Sequence, residues 1–280
     1  GGPRNYGNAF LPSLHQGKAI GRAGNATGAQ IKNIENAMLN DAQRRARFDF
    51  LQNLNADQAN RAPVDNRLEA TIKTYELAWR MQMEAPELTD ISKETETTKK
   101  IYGIGEKKTD DFGKQCLLAR RMVERGVRYI GVNYSDESNT PRWDQHSNMP
   151  KHADHAKATD KPVAGLLQDL KARGLLEDTL VWWGGEFGRT PFTQNNNGRD
   201  HNPRGFTVFL AGGGVKKGFS YGATDEIGSI AVENRVHMRD LHATILHALG
   251  LNHEKVTYRY AGRPYRLTDL GGIVIHDLFA

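Results

Sequence analysis

The feature that most constrains the fold is a short apolar run that ends in two glycines and then a carboxylate. Thr179–Trp183 is β-branched and aromatic, which is typical of a buried strand, and Gly184 and Gly185 separate it from Glu186. Open α/β sheets place their ligand sites at the carboxyl ends of their strands. The pattern therefore predicts that Glu186 lies at such an edge of a sheet.

A strand–helix–strand unit is predicted around this run. Val127–Tyr134 is rich in β-branched and aromatic residues, and His152–Arg173 has a helical pattern that Gly174 ends. The Thr179 strand follows, and such crossovers make parallel, right-handed strand pairs. Phe206–Ala211 predicts another buried strand.

Helices are predicted for most of the first half of the chain. Apolar residues recur there at three- and four-residue spacing in three segments, about Ala29–Asn60, Asp65–Glu84 and Asp110–Glu124. The same spacing predicts a further helix near the end of the chain, at about Met238–Leu249. We therefore expect a mainly helical half over residues 28–125 and a sheet-containing half with the site over 127–280, both within one domain over 1–280.

Composition narrows the classes of partner. The formal charge of +5 is mild, and the basic residues are spread out without interleaved aromatic residues, so nucleic-acid binding is not expected. A basic balance favours a small anionic substrate such as a phosphate or sulfate ester. No apolar run approaches the roughly 18 residues of a membrane span. The single cysteine excludes an intrachain disulfide.

Four side chains form a candidate metal site: Asp144, His146, Glu186 and His201. The set offers two oxygen and two nitrogen donors, which suits a divalent ion and metal-assisted hydrolysis. Asp144 and His146 are alternate residues of an extended loop, so both point to one side. A solvated polar loop would explain the same pair, and Glu186 would then only pin its loop by accepting from Arg189.

The sequence leaves two alternative roles for each of two further residues. Arg189 either clamps a tetrahedral oxyanion through its guanidinium fork or makes a structural ion pair. Asp200 either orients a histidine ligand or forms a turn.

The motifs resemble those of one family. They are Trp143–Asn148 (WDQHSN), Gly185–Pro191 (GEFGRTP), Gly198–His201 (GRDH), Phe209–Lys216 (FLAGGGVK) and Asp240–Ile245 (DLHATI). Together they are similar to the domain of unknown function DUF1501, a family of uncharacterised, sulfatase-like proteins of the alkaline phosphatase superfamily. The resemblance covers essentially the whole chain. It implies a three-layer α/β/α sandwich with a largely parallel central sheet, and export to the periplasm.

The resemblance also implies the ligand set. Relatives bind metal through an Asp/His pair after one strand, an acidic residue after the next and a His before a later strand, which are the positions of Asp144, His146, Glu186 and His201 here. Phe187 stands where the superfamily often has a histidine. Since Phe187 cannot bind a metal, a single ion is favoured, with Ca²⁺ or Mg²⁺ gaining weight beside Zn²⁺.

The nucleophile of such enzymes is a Ser, Thr or Cys on an N-terminal strand, which the resemblance implies is missing from a C-terminal fragment like this one. The leading hypothesis is that the intact protein is a metal-dependent hydrolase of sulfate or phosphate esters, with sulfated polysaccharide as one candidate substrate, and that such a fragment alone is inactive. Arg189 would stabilise developing charge, and His201 or His146 would instead protonate the leaving group. The alternatives are a binding or scaffold protein without turnover and a phosphomutase-like transferase.

Overall fold

The structure is a computed structural model that describes residues 6–12, 15–20, 38–61, 66–135 and 141–280. The chain divides into two compact units, with the first ending at Glu94 and the second comprising Thr95–Ala280. The early part of the predicted Ala29–Asn60 helix, residues 29–37, lies outside the described residues. All of the predicted site residues belong to the second unit.

The first unit contains a helical pair, α1 (Asp41–Arg61) and α2 (Asn66–Thr89). Asn40 and Gln43 exchange side-chain to backbone hydrogen bonds in a capping box that begins α1. The rings of Phe48 and Trp79 stack with centroids 5.0 Å apart and join the two helices. The predicted end at Glu84 is wrong by about one turn, because the helix continues through Pro86 to Thr89 and the carbonyl of Pro86 accepts from the backbone N–H of Asp90.

Four helices lie in the described part of the second unit: α3 (Glu96–Ile101), α4 (Asp110–Glu124), α5 (Lys151–Ala172) and α6 (Met238–Ala248). These bounds confirm the predicted helices at Asp110–Glu124, His152–Arg173 and Met238–Leu249 to within two residues. Apolar spacing of three and four residues predicts such helices well because the pattern is local.

The core of the second unit lies where α4 packs on α5. Leu117 and Leu170 are fully buried there. Asp169 accepts from the Tyr102 hydroxyl at 2.9 Å and lies 2.9 Å from Nε of the buried Arg120. Burial, together with the charge of Asp169, raises the pKa of Tyr102. This network compensates the charge of Arg120 inside the core, as a buried cation requires.

Eight short strands form the sheet structure of the described residues. They are β1 (Val181–Trp183), β2 (Gly188–Gln194), β3 (Gly198–Asn202), β4 (Phe209–Ala211), β5 (Ala223–Thr224), β6 (Ala231–Glu233), β7 (Thr257–Tyr260) and β8 (Arg263–Arg266). They pair as β1–β4, β2–β3, β5–β6 and β7–β8, and each of these two-stranded sheets is antiparallel.

The prediction of a three-layer α/β/α sandwich with a largely parallel central sheet is therefore wrong. The predicted Val127–Tyr134 strand forms no ladder, and Tyr129 is 77% exposed. Without that strand the crossover has no parallel partner. Val181–Trp183 instead pairs with Phe209–Ala211, which returns in the opposite direction after the β2–β3 hairpin. Strand propensity alone does not determine whether a segment joins a sheet, because pairing depends on contacts with other strands.

None of the helices in the described part of the chain combines the length and the apolar composition that a bilayer crossing requires.

Candidate metal centre

Trp143 anchors the loop that carries the first two candidate ligands. Its ring packs on His152 and His155 of α5, with centroids 5.2 and 5.3 Å away. Nε2 of His152 donates to the carbonyl of Trp143 at 3.0 Å. Trp143 itself has a left-handed backbone with φ of 72°, which is uncommon for a large residue and needs such support. The loop after it is thereby fixed against α5.

The β2–β3 hairpin holds the other side of this loop. The backbone N–H of Arg199 donates to the carbonyl of Gln145 at 3.1 Å. Gly198 lies so close that a Cβ built there would stand 1.8 Å from the carbonyl oxygen of His146. Only glycine permits this backbone approach. The hairpin and the loop therefore form one rigid assembly.

Asp144, His146 and His201 converge in this assembly. Nε2 of His146 lies 3.0 Å from Oδ1 of Asp144 and 3.0 Å from Nε2 of His201. Nε2 of His201 lies 3.1 Å from the same carboxylate oxygen. Atoms bound about 2.1 Å from one ion lie roughly 3.0 Å apart at right angles and about 3.4 Å apart at tetrahedral angles. The three separations therefore fit ligands of one cation.

Hydrogen bonds alone do not account for the close approach of these three ligand atoms. A neutral imidazole nitrogen is either an N–H donor or a lone-pair acceptor. Two N–H groups cannot face each other at the 3.0 Å that separates Nε2 of His146 from Nε2 of His201. At least one of the two nitrogens therefore presents a lone pair to the centre, next to an anionic oxygen. A cation placed between them would satisfy all three atoms.

Arg189 sets the charge of Asp144. Its Nη2 donates to Oδ1 of Asp144 at 2.6 Å. This hydrogen bond, helped by the one from His201, lowers the pKa of Asp144 to about 2. Asp144 is therefore anionic at neutral pH, as a metal ligand must be. Arg189 also lies over the ring of Phe187, 5.9 Å from its centroid, and that ring in turn packs on His201 at 4.1 Å.

Comparison with known proteins places the chain in a family. Residues 1–279 match the model described as "Protein of unknown function (DUF1501)". The chain belongs to the DUF1501 family. No curated protein and no solved structure matches it.

In this DUF1501 protein the predicted site residues separate into two groups. Among the described residues, the acidic and histidine side chains whose ligand atoms lie within 4.8 Å of one another are Asp144, His146 and His201. The predicted placement of Asp144 and His146 on one side of their loop agrees with this. The exposed Glu186 lies between β1 and β2, outside that group, so its ligand role stays a prediction. Arg189 contacts the group through Asp144.

Gln194 also contacts a residue of this DUF1501 site, and the sequence did not predict it. Its Oε1 lies 2.7 Å from Nδ1 of His146. The position predicted to orient a histidine was Asp200, whose Oδ1 lies farther from the same nitrogen, at 3.8 Å. The signal was present in the Asn-rich turn before Gly198, since such turns predict a hairpin. A hairpin pairs Gln194 with Gly198, three residues before His201.

Proposed function

We propose that the protein is a metal-dependent hydrolase of sulfate or phosphate esters, with one divalent ion held by Asp144, His146 and His201. The observation that carries the proposal is the convergence of these three ligand atoms within 3.1 Å of one another. Metal-assisted ester hydrolysis is the chemistry expected of sulfatase-like proteins, which this chain resembles.

Zinc is the ion that best fits the donor set. Two imidazoles and a carboxylate match the ligand types of catalytic zinc sites, which use three protein ligands and leave a position for water or substrate. The separations of 3.0 to 3.1 Å are shorter than those of a tetrahedral set, so the three side chains would move slightly apart around zinc. Ca²⁺ and Mg²⁺ prefer oxygen ligands, and this group supplies one oxygen and two nitrogens. His201 is part-exposed, so a substrate can approach that side of the site.

The charges of the site favour an anionic substrate. Asp144, His146 and His201 would hold a divalent ion, which would supply Lewis-acid chemistry for polarising an ester and lowering the pKa of water. The guanidinium of Arg189 neutralises Asp144, which it contacts at 2.6 Å. The positive charge of the ion would then remain available to an anionic ester. Asp144 cannot act as the general acid near neutral pH, because its pKa is about 2.

The ligand geometry favours one of the two roles considered for the histidines. Nε2 of His146 and Nε2 of His201 both face Asp144, at 3.0 and 3.1 Å. A nitrogen that binds a metal has no proton to donate to a leaving group. We therefore propose ligand roles for both residues in place of the general-acid role.

Metal titration of purified variants tests the ligand set. We expect the wild-type chain to bind one Zn²⁺, and the His146→Ala, His201→Ala and Asp144→Asn variants to bind it at least about tenfold more weakly. Glu186→Ala is the matched comparison, because its carboxylate is exposed and lies outside the three-residue group. Unchanged zinc binding in all three ligand variants would refute the site. Loss of zinc in Glu186→Ala would make Glu186 a fourth ligand.

A panel of aryl sulfates and aryl phosphates tests the reaction. We expect the intact protein to show saturable turnover that requires the metal and that disappears in its His201→Ala variant. Zinc binding without turnover of any ester in the panel would contradict the hydrolase proposal and favour a binding or scaffold protein.

A further inference from the structure

We infer that Gln194 is a positioning residue that holds the proton of His146 on Nδ1 and so leaves Nε2 ready to bind the metal. The inference rests on the metal site proposed above. It assigns to a neutral side chain the choice between the two nitrogens of a ligand histidine.

The direction of one hydrogen bond carries the inference. Oε1 of Gln194 lies 2.7 Å from Nδ1 of His146. An amide oxygen only accepts, so Nδ1 must be the N–H donor, and in the neutral ring Nε2 then has the lone pair. Nε2 is the atom that faces Asp144 and His201, at 3.0 Å from each. Histidine ligands of metals are commonly fixed through their other nitrogen in this way.

The hairpin keeps the amide oxygen of Gln194 in place. Gln194 pairs with Gly198 in the β2–β3 register, at the end next to the turn. Asn195 and Asn196 form that turn with φ of 45° and 66°, which asparagine tolerates better than most residues. Gly198 contacts the backbone of His146 directly. The acceptor and the histidine that it orients are thus held by the same short segment.

Asp200 is the competing acceptor, and its geometry is less favourable. Its Oδ1 lies 3.8 Å from Nδ1 of His146, beyond hydrogen-bonding distance. The same oxygen accepts from the backbone N–H of His201 at 2.8 Å. More than half of the Asp200 side chain is exposed. Asp200 is therefore a suitable control for Gln194.

Two substitutions with different expected effects on zinc affinity test the positioning role of Gln194. Gln194→Leu has a similar size but no acceptor, and we expect its Zn²⁺ affinity to fall by about 10- to 100-fold. Gln194→Glu keeps an acceptor and adds negative charge, and we expect an affinity equal to or above that of the wild type. Asp200→Asn should stay within about twofold. Thermal unfolding without metal shows whether each variant is folded.

A role in packing alone predicts the reverse order, because leucine tolerates a half-buried position better than an added charge does. Zinc affinity of Gln194→Leu within twofold of the wild type would overturn the inference. So would a lower affinity in Gln194→Glu than in Gln194→Leu.

The protonated nitrogen of His146 is a second readout that needs no metal. Long-range ¹H–¹⁵N NMR spectra of the metal-free protein at neutral pH should show the Nδ1–H tautomer in the wild type, and a gain of the Nε2–H tautomer in Gln194→Leu. An Nε2–H tautomer in the wild type would overturn the inference. Because this measurement uses no zinc, it separates a failure of the Gln194 role from a failure of the proposed metal site.

Discussion

At the scale of single residues, the charge of Asp144 depends on Arg189. The guanidinium contact at 2.6 Å is the main reason that the pKa of Asp144 is about 2, against an ordinary value of 3.8. A carboxyl group with a lowered pKa contributes stability that is present above about pH 4 and is lost as the pH falls toward 2. Since a third of the side chain is exposed, screening limits this contribution to about 1 kcal/mol or less.

We predict that Arg189→Gln raises the pKa of Asp144 toward 3.8 in the metal-free protein. The contribution of Asp144 to the unfolding free energy then becomes smaller, and its loss in acid, which still starts near pH 4, is complete at a higher pH than in the wild type. A ¹³C NMR titration of the Asp144 carboxyl group measures the pKa. Arg239→Gln is the control, because Arg239 pairs with Asp269, at 3.7 Å. An Asp144 that still titrates near pH 2 in Arg189→Gln would contradict the assigned cause.

Three of the four candidate ligands predicted from the sequence lie close together in the structure, and local geometry was enough to predict this for two of them. Alternate residues of an extended loop share a side, which brings Asp144 and His146 together. Glu186 was placed at the edge of a parallel sheet, and the described residues form only antiparallel pairs of strands. Gln194 was missed because an amide has no charge or ligand chemistry to mark it, and its importance depends on the register of the hairpin.

At the scale of elements, the β2–β3 hairpin connects the candidate ligands. His201 lies on β3, and the backbone of β3 also holds the loop that carries Asp144 and His146. The closest approach is at Gly198, where there is no space for a side chain. The position of the loop relative to His201 is therefore set by backbone contacts.

We predict that Gly198→Ala disrupts the proposed metal site. The new Cβ would stand 1.8 Å from the carbonyl oxygen of His146, so the loop and the hairpin must separate. We expect a loss of about 2 kcal/mol or more in the free energy of unfolding and a fall in Zn²⁺ affinity of at least about tenfold. Urea unfolding and calorimetric zinc titration measure the two effects.

Gly131→Ala provides the comparison, because no atom lies within 4 Å of the added Cβ and the backbone is not left-handed there. We expect a change within about 0.5 kcal/mol and unaltered zinc binding. A Gly198→Ala variant that behaves like Gly131→Ala would show that the hairpin does not hold the loop.

Helices could be predicted and sheet partners could not, for one physical reason. The apolar spacing of Asp110–Glu124 lies within the segment itself, and α4 has those bounds. The run at Val181–Trp183 was correctly read as a strand, but its antiparallel partner lies 28 residues beyond, between Phe209 and Ala211. Strand pairing depends on such distant contacts, so strand content indicates little about sheet topology.

At the scale of the whole molecule, the candidate metal site belongs to one compact unit. The second unit, Thr95–Ala280, contains all four residues of the site, and the contacts between them lie within it: Asp144, His146, Gln194 and His201. The buried network of Tyr102, Arg120 and Asp169 gives the same unit its own core. A site built from contacts inside one unit does not depend on the rest of the chain for its geometry.

We therefore predict that residues 95–280, produced alone, bind Zn²⁺ with an affinity within about threefold of that of the full chain. Such a unit has its own hydrophobic core and can fold independently. Calorimetric titration of both proteins measures the affinity, and circular dichroism verifies that the shorter protein is folded. The same truncation with His201→Ala is the control and should lose binding. A folded shorter protein that does not bind zinc would mean that the first unit contributes to the site, in conflict with contacts that all lie within the second unit.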